Sequence, residues 1–248
     1  MNGLTFNSKH SFTDMGLKMQ SKVRHILPEP KTVYEDLPGV DGEYDFSEVN
    51  PDGRTKYKPF VDEIGFTIIA ANAAAVRVKA HEIASWLACG EKQLQYDDDP
   101  GKYWLARVIN KLDIESQLVK LKSFTAQFKC QPLGYGLTEI DETYTGIVAA
   151  ADKVIANPGT FVKPKITITG TFTTLTLSCG GKTLTYSEAI AGATIVIDNF
   201  HCIKDGSINV GSKLSGNFFE FVNGNNTLSI GGTGLNCSIT VSFRPTYL

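Results

Sequence analysis

The sequence lacks an excess of charge of either sign, because 24 Lys and Arg residues stand against 26 Asp and Glu, a formal net charge of -2. A protein that holds nucleic acid without regard to sequence needs a basic surface that displaces counterions from phosphates. The balance therefore argues against DNA as a tightly held ligand. The composition, 42% hydrophobic and 20% charged, also excludes a disordered or fibrous chain.

Long apolar runs are missing too, and the cysteines form no framework. No stretch of 18 apolar residues occurs, so no membrane span is predicted, and the first residues lack the basic and apolar segments of a secretory signal. The five cysteines are odd in number and show no C-x-x-C pair. We expect buried free thiols in a protein made in a reducing cytoplasm.

Patterns for metal or phosphate binding are absent as well. The four histidines are far apart and show no metal-ligand spacing: His10, His25, His81 and His201. His81 lies on a predicted helix, where we expect a partly buried structural role. Gly180-Gly181-Lys182-Thr183 resembles the end of a phosphate-binding loop, but the motif needs glycine where Thr176 stands, and a strand follows instead of a helix.

Other candidates for chemistry also have a structural interpretation. The acidic run Asp97-Asp98-Asp99 lacks the alternating ligands and bidentate Glu of a calcium loop, so a solvated turn is predicted. Trp86 and Trp104 would be sugar platforms if exposed, but their positions favour core packing. We predict that the chain is not an enzyme and has no catalytic, cofactor-binding or metal-binding residues, and that it needs no cofactor.

Charge is distributed unevenly along the chain. Residues 1–150 include 17 basic and 21 acidic residues, whereas residues 151–248 include only 7 and 5. The second stretch is instead rich in Thr and Gly, with 14 and 12 residues, which is typical of short strands and tight turns. We predict a domain boundary at residue 150, with domains at 1–150 and 151–248.

The first domain is predicted to be α+β, with one helix on an antiparallel sheet. The helix is expected at residues 73–88 with Asn72 as its N-cap. Its predicted core-facing stripe is Val76, Ala80, Ile83, Ala84 and Leu87. Two hairpins are also predicted, one from Leu4-Thr5-Phe6 and Gly16-Leu17-Lys18-Met19, the other from residues 92–96 and 102–108. A long strand is expected at 118–130.

Residues 28–57, called the arm from here on, carry prolines, Asp-Gly turn signals and exposed charge but little apolar periodicity. Such a segment has too few regularly placed apolar residues to bury itself. We predict that the arm packs on another subunit, because an extended segment can add to a neighbour's sheet edge.

The second domain is predicted to be a β-sandwich, because short strands alternate with turn residues at regular spacing. A strand at 144–156 is expected to enter it. The further predicted strands are 165–169, 173–178, 182–186, 194–198, 202–204, 207–209, 219–222, 226–230 and 238–244.

Several sequence pieces, in order along nearly the whole chain, resemble the distal tail protein family of siphophages. In the first domain they are Phe6-Asn7-Ser8-Lys9-His10-Ser11, Asp14-Met15-Gly16-Leu17, Leu37-Pro38-Gly39-Val40-Asp41-Gly42-Glu43-Tyr44-Asp45-Phe46-Ser47, Ile83-Ala84-Ser85-Trp86-Leu87 and Phe124-Thr125-Ala126-Gln127-Phe128. In the second they are Asn157-Pro158-Gly159-Thr160, Pro164-Lys165-Ile166-Thr167-Ile168 and Asn223-Gly224-Asn225-Asn226-Thr227-Leu228.

The resemblance implies a structural protein of a phage or prophage tail tip. It implies a mainly β fold with one helix, in which the first domain forms a hexameric ring through a belt hairpin and the second is a galectin-like sandwich. The implied partners are further copies of the chain, in one ring or in stacked rings, the tail tube protein, a hub or fibre protein and a receptor-binding protein. DNA would cross the ring without specific binding, past charged faces of the first domain. The implied location is the virion, after synthesis in the bacterial cytoplasm, with no membrane partner.

The chief alternative is a carbohydrate-binding sandwich that recognises cell-wall glycans, and a tail-associated hydrolase is the weakest one, because the sequence offers no acid pair. A lectin site needs an exposed aromatic ring beside polar groups. The second domain has no Trp, and its tyrosines are Tyr186 and Tyr247. Phe172, Phe200, Phe218, Phe219 and Phe221 are predicted to be core residues.

Overall fold

The computed structural model describes residues 3–23, 27–48, 53–112, 115–116, 121–199 and 201–248. The chain divides into two compact units, residues 1–134 with Leu248 and residues 135–247. Strands dominate both units, as predicted, and no helix in the described ranges is long and apolar enough to cross a membrane.

The described residues of the first unit form ten strands and one helix, the last strand running two residues past the boundary of the unit. In chain order they are β1 (Leu4–Phe6), β2 (Lys9–His10), β3 (Leu17–Val23), β4 (Tyr34–Asp36), β5 (Glu43–Asp45), β6 (Phe60–Ile69), α1 (Ala73–Leu87), β7 (Lys92–Tyr96), β8 (Lys102–Val108), β9 (Glu115–Ser116) and β10 (Leu121–Gly136).

The main sheet of this unit has the strand order β2-β1-β7-β8-β10-β6-β3. The hairpin predicted at residues 92–96 and 102–108 is present as β7 and β8. The predicted N-terminal hairpin is wrong, because β1 pairs with β2 and β7, whereas β3 pairs with β6 at the other end of the order. Asn7 and Ser8, both with positive φ, make the tight turn that lets β2 fold back on β1.

The helix begins where predicted, with the side chain of Asn72 accepting a hydrogen bond from the Ala75 backbone N at 2.9 Å. The predicted stripe is partly wrong: Ala84 is exposed and Trp86 is buried in its place. Trp86 Nε1 donates to the carbonyl oxygen of Phe6 at 2.8 Å, which turns the indole onto the sheet. The buried face of α1 is therefore rotated toward Trp86.

The second unit contains the remaining strands and a short 3-10 helix at Gly211–Lys213. The strands are β11 (Ile140–Ile147), β12 (Ala151–Val162), β13 (Lys165–Phe172), β14 (Thr174–Cys179), β15 (Lys182–Tyr186), β16 (Ile190–Asp198), β17 (His201–Lys204), β18 (Ile208–Asn209), β19 (Leu214–Gly216), β20 (Phe221–Thr233), β21 (Asn236–Phe243) and β22 (Thr246–Tyr247).

Two sheets enclose the core of this unit, as predicted for a sandwich. Their strand orders are β11-β21-β13-β16-β17-β18 and β12-β20-β14-β15-β19. The strand predicted at 144–156 is two strands in different sheets, since β11 pairs with β21 and β12 with β20. Because β11 pairs within the second unit, the structural division falls after Gly134, earlier than the expected boundary at residue 150.

Candidate functional site

The histidines do not converge on a site. His10 Nε2 lies 3.1 Å from Asp97 Oδ1, and its Nδ1 accepts from the backbone N of Phe12 and Thr13, so it has a structural role. His81, expected to be partly buried, is exposed in an open cleft of 680 Å³ between α1 and the N-terminal strands. His201 is exposed in the other unit, and His25 lies outside the described residues. No three His, Cys, Asp or Glu in the described ranges are grouped to hold a metal ion.

The acidic turn Asp97-Asp98-Asp99 is structural and its carboxylates have partners. Asp97 accepts from the Gly3 backbone N at 2.7 Å, Asp98 pairs with Lys22, and Asp99 lies 3.5 Å from Lys102 Nζ. These contacts tie the β7–β8 turn to β3 and to the N-terminus. The turn has no spare carboxylates arranged around a cation.

The glycine pair before Lys182 also has a structural explanation. Gly180 and Gly181 have φ of 57° and 74° and form the two-residue turn of the β14–β15 hairpin, with Cys179 opposite Lys182. A phosphate-binding loop would instead lead into a helix N-terminus. Tyr186 of the second unit is not a sugar platform, because its side chain is 2% exposed and its hydroxyl donates a hydrogen bond to Glu188 at 2.9 Å.

All five cysteines are free, and four are buried: Cys130, Cys179, Cys202 and Cys237. Burial raises the pKa of the Cys202 thiol to about 11 and also raises the pKa of Cys179 and Cys237. Burial likewise raises the pKa of half-buried Cys89, against the opposing effect of Lys92 and Arg107. The thiols are therefore inert at neutral pH.

These raised pKa values predict a loss of stability at high pH. Below pH 9 the thiols are protonated in both states, and between pH 9 and 11 the unfolded state loses protons that folded Cys202 keeps. The free energy of unfolding should therefore fall as pH rises from 9 to 11, by about 1.4 kcal/mol per pH unit for a fully shifted thiol. Urea denaturation at both pH values measures the fall, and Cys202→Ala should reduce it. An equal fall in the variant would contradict the assignment.

The arm is the most exposed part of the first unit. Every residue from Lys31 to Phe46 is exposed. The base of the arm is a ladder in which Lys31 N donates to Lys56 O at 2.6 Å and Pro30 bridges Tyr57. Six large apolar side chains among the described residues of the arm face solvent: Val33, Tyr34, Leu37, Val40, Tyr44 and Phe46. An isolated two-stranded hairpin with such exposure is only marginally stable in water.

The tip of the arm, β4 and β5, has two chemically different faces. Directly opposed residues share a face, and the register pairs Tyr34 with Asp45 and Asp36 with Glu43. This acidic face is defined as Tyr34, Asp36, Glu43 and Asp45. By strand alternation the apolar face carries Val33, Glu35, Tyr44 and Phe46, with the rings of Tyr44 and Phe46 stacked at 6.5 Å. Hydrogen bonds from the Ser47 side chain and backbone lower the pKa of Asp45, so it is charged at neutral pH.

The acidity of the first domain is concentrated in the arm. Residues 28–57 include eight acidic and three basic residues, whereas the other 120 residues of 1–150 include 13 and 14. Residues 33–48 include six acidic residues and no basic one. The body of the domain is therefore balanced in charge, and the arm carries the excess.

A basic cleft of 310 Å³ lies at the foot of the arm and is lined by Pro59, Glu91, Arg107, Lys129, Cys130 and Gln131. Arg107 on β8 and Lys129 on β10 come from neighbouring strands and are both exposed. Glu91 accepts from Gln131 Nε2 at 2.7 Å, and neither Arg107 nor Lys129 has an acidic partner among the described residues. Sequence reasoning missed this cleft, because its two cations are 22 positions apart and meet only through strand pairing.

The chain is similar to a known protein family and to a solved structure. Residues 10–130 match the family model described as phage tail protein RIFT-related domain. The whole chain is similar to the crystal structure of SPP1 Dit (gp 19.1), described as a paradigm of the hub adsorption apparatus in phages that infect Gram-positive bacteria. The TM-score is 0.75, the identity is 13%, and 100% of each chain is covered, so the likeness shows a shared fold. No curated protein sequence matches the chain.

Proposed function

We propose, on the premise that this chain is a siphophage distal tail protein, that it forms a hexameric ring joining the tail tube to the adsorption apparatus. The family match and the shared fold support that premise and confirm the resemblance predicted from the sequence. Both point to a structural tail protein and not to an enzyme.

The observation that carries the ring proposal is the exposure of the arm. A solvated hairpin with six large exposed apolar side chains is stabilised when a neighbouring subunit covers it. Head-to-tail contacts of this kind close into a ring when the rotation between subunits permits. Further partners, namely the tail tube protein, a hub or fibre protein and a receptor-binding protein, are part of this proposal.

DNA would pass through the ring without specific binding. Outside the arm, the first 150 residues have nearly equal numbers of acidic and basic residues. Charged faces of this domain lining the channel would then present little net charge to the phosphates, and little retention results.

The oligomeric state of the purified protein tests the proposal. We expect light scattering to give the mass of six copies of the 27.0 kDa chain, and negative-stain images to show a ring with a central hole. A reconstruction of the ring would also show which faces line the hole. A monomer at every concentration measured would refute the ring, and a first domain on the outer rim would refute its placement along the channel.

A further inference from the structure

The acidic face of the arm contains charges that its own chain does not neutralise. Asp36 and Glu43 are directly opposite each other in the β4–β5 ladder, where like charges destabilise the pair. Neither carboxylate has a basic partner among the described residues. Cations placed against this face would remove the repulsion and stabilise the hairpin.

The basic cleft has the complementary property. Arg107 and Lys129 place two positive charges side by side in an open cleft, and the nearby Glu91 is hydrogen-bonded to Gln131. Lys92 adds a further positive charge in this region, since it and Arg107 both act electrostatically on Cys89. An acidic protein surface is therefore the kind of partner that fits the cleft.

We propose that the basic cleft is the docking site for the acidic face of the arm of a second copy of this chain. The inference rests on the proposed ring, and it names the surface that receives the arm. Asp36 and Glu43 pair with Arg107 and Lys129 of the receiving copy.

The position of the cleft favours a second copy over the same chain. Pro59, which lines the cleft, is two residues from Tyr57 at the base of the arm. Asp36 lies six residues beyond Pro30, which is about 20 Å along an extended strand. An arm extended in this way holds its tip away from its own cleft. A copy whose cleft binds the arm of one neighbour can place its own arm in the cleft of the next neighbour, which is a head-to-tail arrangement.

Charge reversal on each side tests the pairing. One variant carries Asp36→Lys and Glu43→Lys, and the other carries Arg107→Glu and Lys129→Glu. Each alone brings like charges together in every interface, so we expect the mass at low ionic strength to fall to that of the 27.0 kDa monomer. In an equimolar mixture, a ring that alternates the two variants has complementary charges in every interface, so assembly should return. A single chain with all four substitutions should also assemble.

Matched controls separate this pairing from a general effect of charge. Asp141→Lys and Lys165→Glu reverse exposed charges in the second unit and should leave the mass unchanged. Far-UV circular dichroism confirms that each variant is folded.

The outcomes distinguish the inference from the proposed function. A monomeric wild-type chain would refute the ring itself. A wild-type ring together with intact rings of both reversal variants would overturn only the docking assignment. A wild-type ring that retains double-stranded DNA, together with intact rings of the Arg107→Glu, Lys129→Glu variant that do not, would assign the cleft to phosphate contacts instead and would also overturn it. Failure of the mixture to reassemble would exclude direct pairing.

Discussion

A chain whose arm is shortened should remain folded but should no longer assemble. The variant replaces residues 32–55 with the turn Asn-Gly, which keeps the hydrogen bond between Lys31 and Lys56 at the base. Residues 32–46 are all exposed in the isolated chain. Buried Ser47 accepts a hydrogen bond from the Val33 backbone N, and half-buried Thr55 donates to Glu48, so both bond within the deleted segment. The deletion therefore takes few contacts from the core of the first unit. In the ring the same residues would supply the contact between subunits. We expect an unchanged thermal midpoint and the mass of a 27.0 kDa chain less the deleted segment.

Light scattering and thermal unfolding together check this expectation. A matched control substitutes serine for exposed Val154 of the second unit, which should change neither mass nor midpoint. Serine at both Tyr44 and Phe46 should weaken assembly without unfolding the chain, because it removes the stacked pair on the apolar face. A hexamer that persists in the shortened chain would sink the idea that the arm joins the subunits.

Substitution of Gly232 by Ala is expected to have the largest effect on stability in the second unit. Gly232 has a φ of 138° on β20, and an added Cβ would lie 2.1 Å from the carbonyl oxygen of Thr174 on β14. Thr174 is paired with Thr233 and the next residue, Leu175, with Gly232, so relief of the clash would separate the two strands. We expect a loss of more than about 3 kcal/mol in the free energy of unfolding.

Gly192→Ala is the control for this prediction. Gly192 has a φ of 70°, but an added Cβ there meets nothing within 4 Å. The free energy of unfolding should then fall only by the backbone strain, which is about 1 to 2 kcal/mol. Urea denaturation followed by circular dichroism compares the two variants. Equal losses in the free energy of unfolding would mean that the positive φ, and not the close approach of the strands, requires glycine at position 232.

Local features were predictable because their causes lie within a few residues. Asn72 caps α1 through a hydrogen bond three residues away, and the β7–β8 hairpin closes around a single turn. The sandwich strands followed from turn residues at regular spacing between short strand-like segments. Trp86 and Trp104 are 2% and 8% exposed, as their predicted core roles require.

Predictions that depended on pairing partners were less successful. The N-terminal segment was predicted as one hairpin, but β3 pairs with β6, and the paired residues are 40 to 51 positions apart in the chain. Residues 144–156 read as one strand, but Gly146 with a φ of 66° lies where the pairing of β11 with β21 shifts register, and β12 pairs in the other sheet. Propensity does not encode which strand is chosen as a neighbour.

The sequence by itself determined the mainly β character, the single helix, the family resemblance and the existence of an arm with too little apolar periodicity to bury itself. These properties depend on composition, periodicity and short motifs. The tertiary structure alone decided that the charges of the arm gather on one face, and that Arg107 and Lys129 meet at its foot. Both arrangements are made by strand pairing, which brings residues distant in the chain within reach of one another.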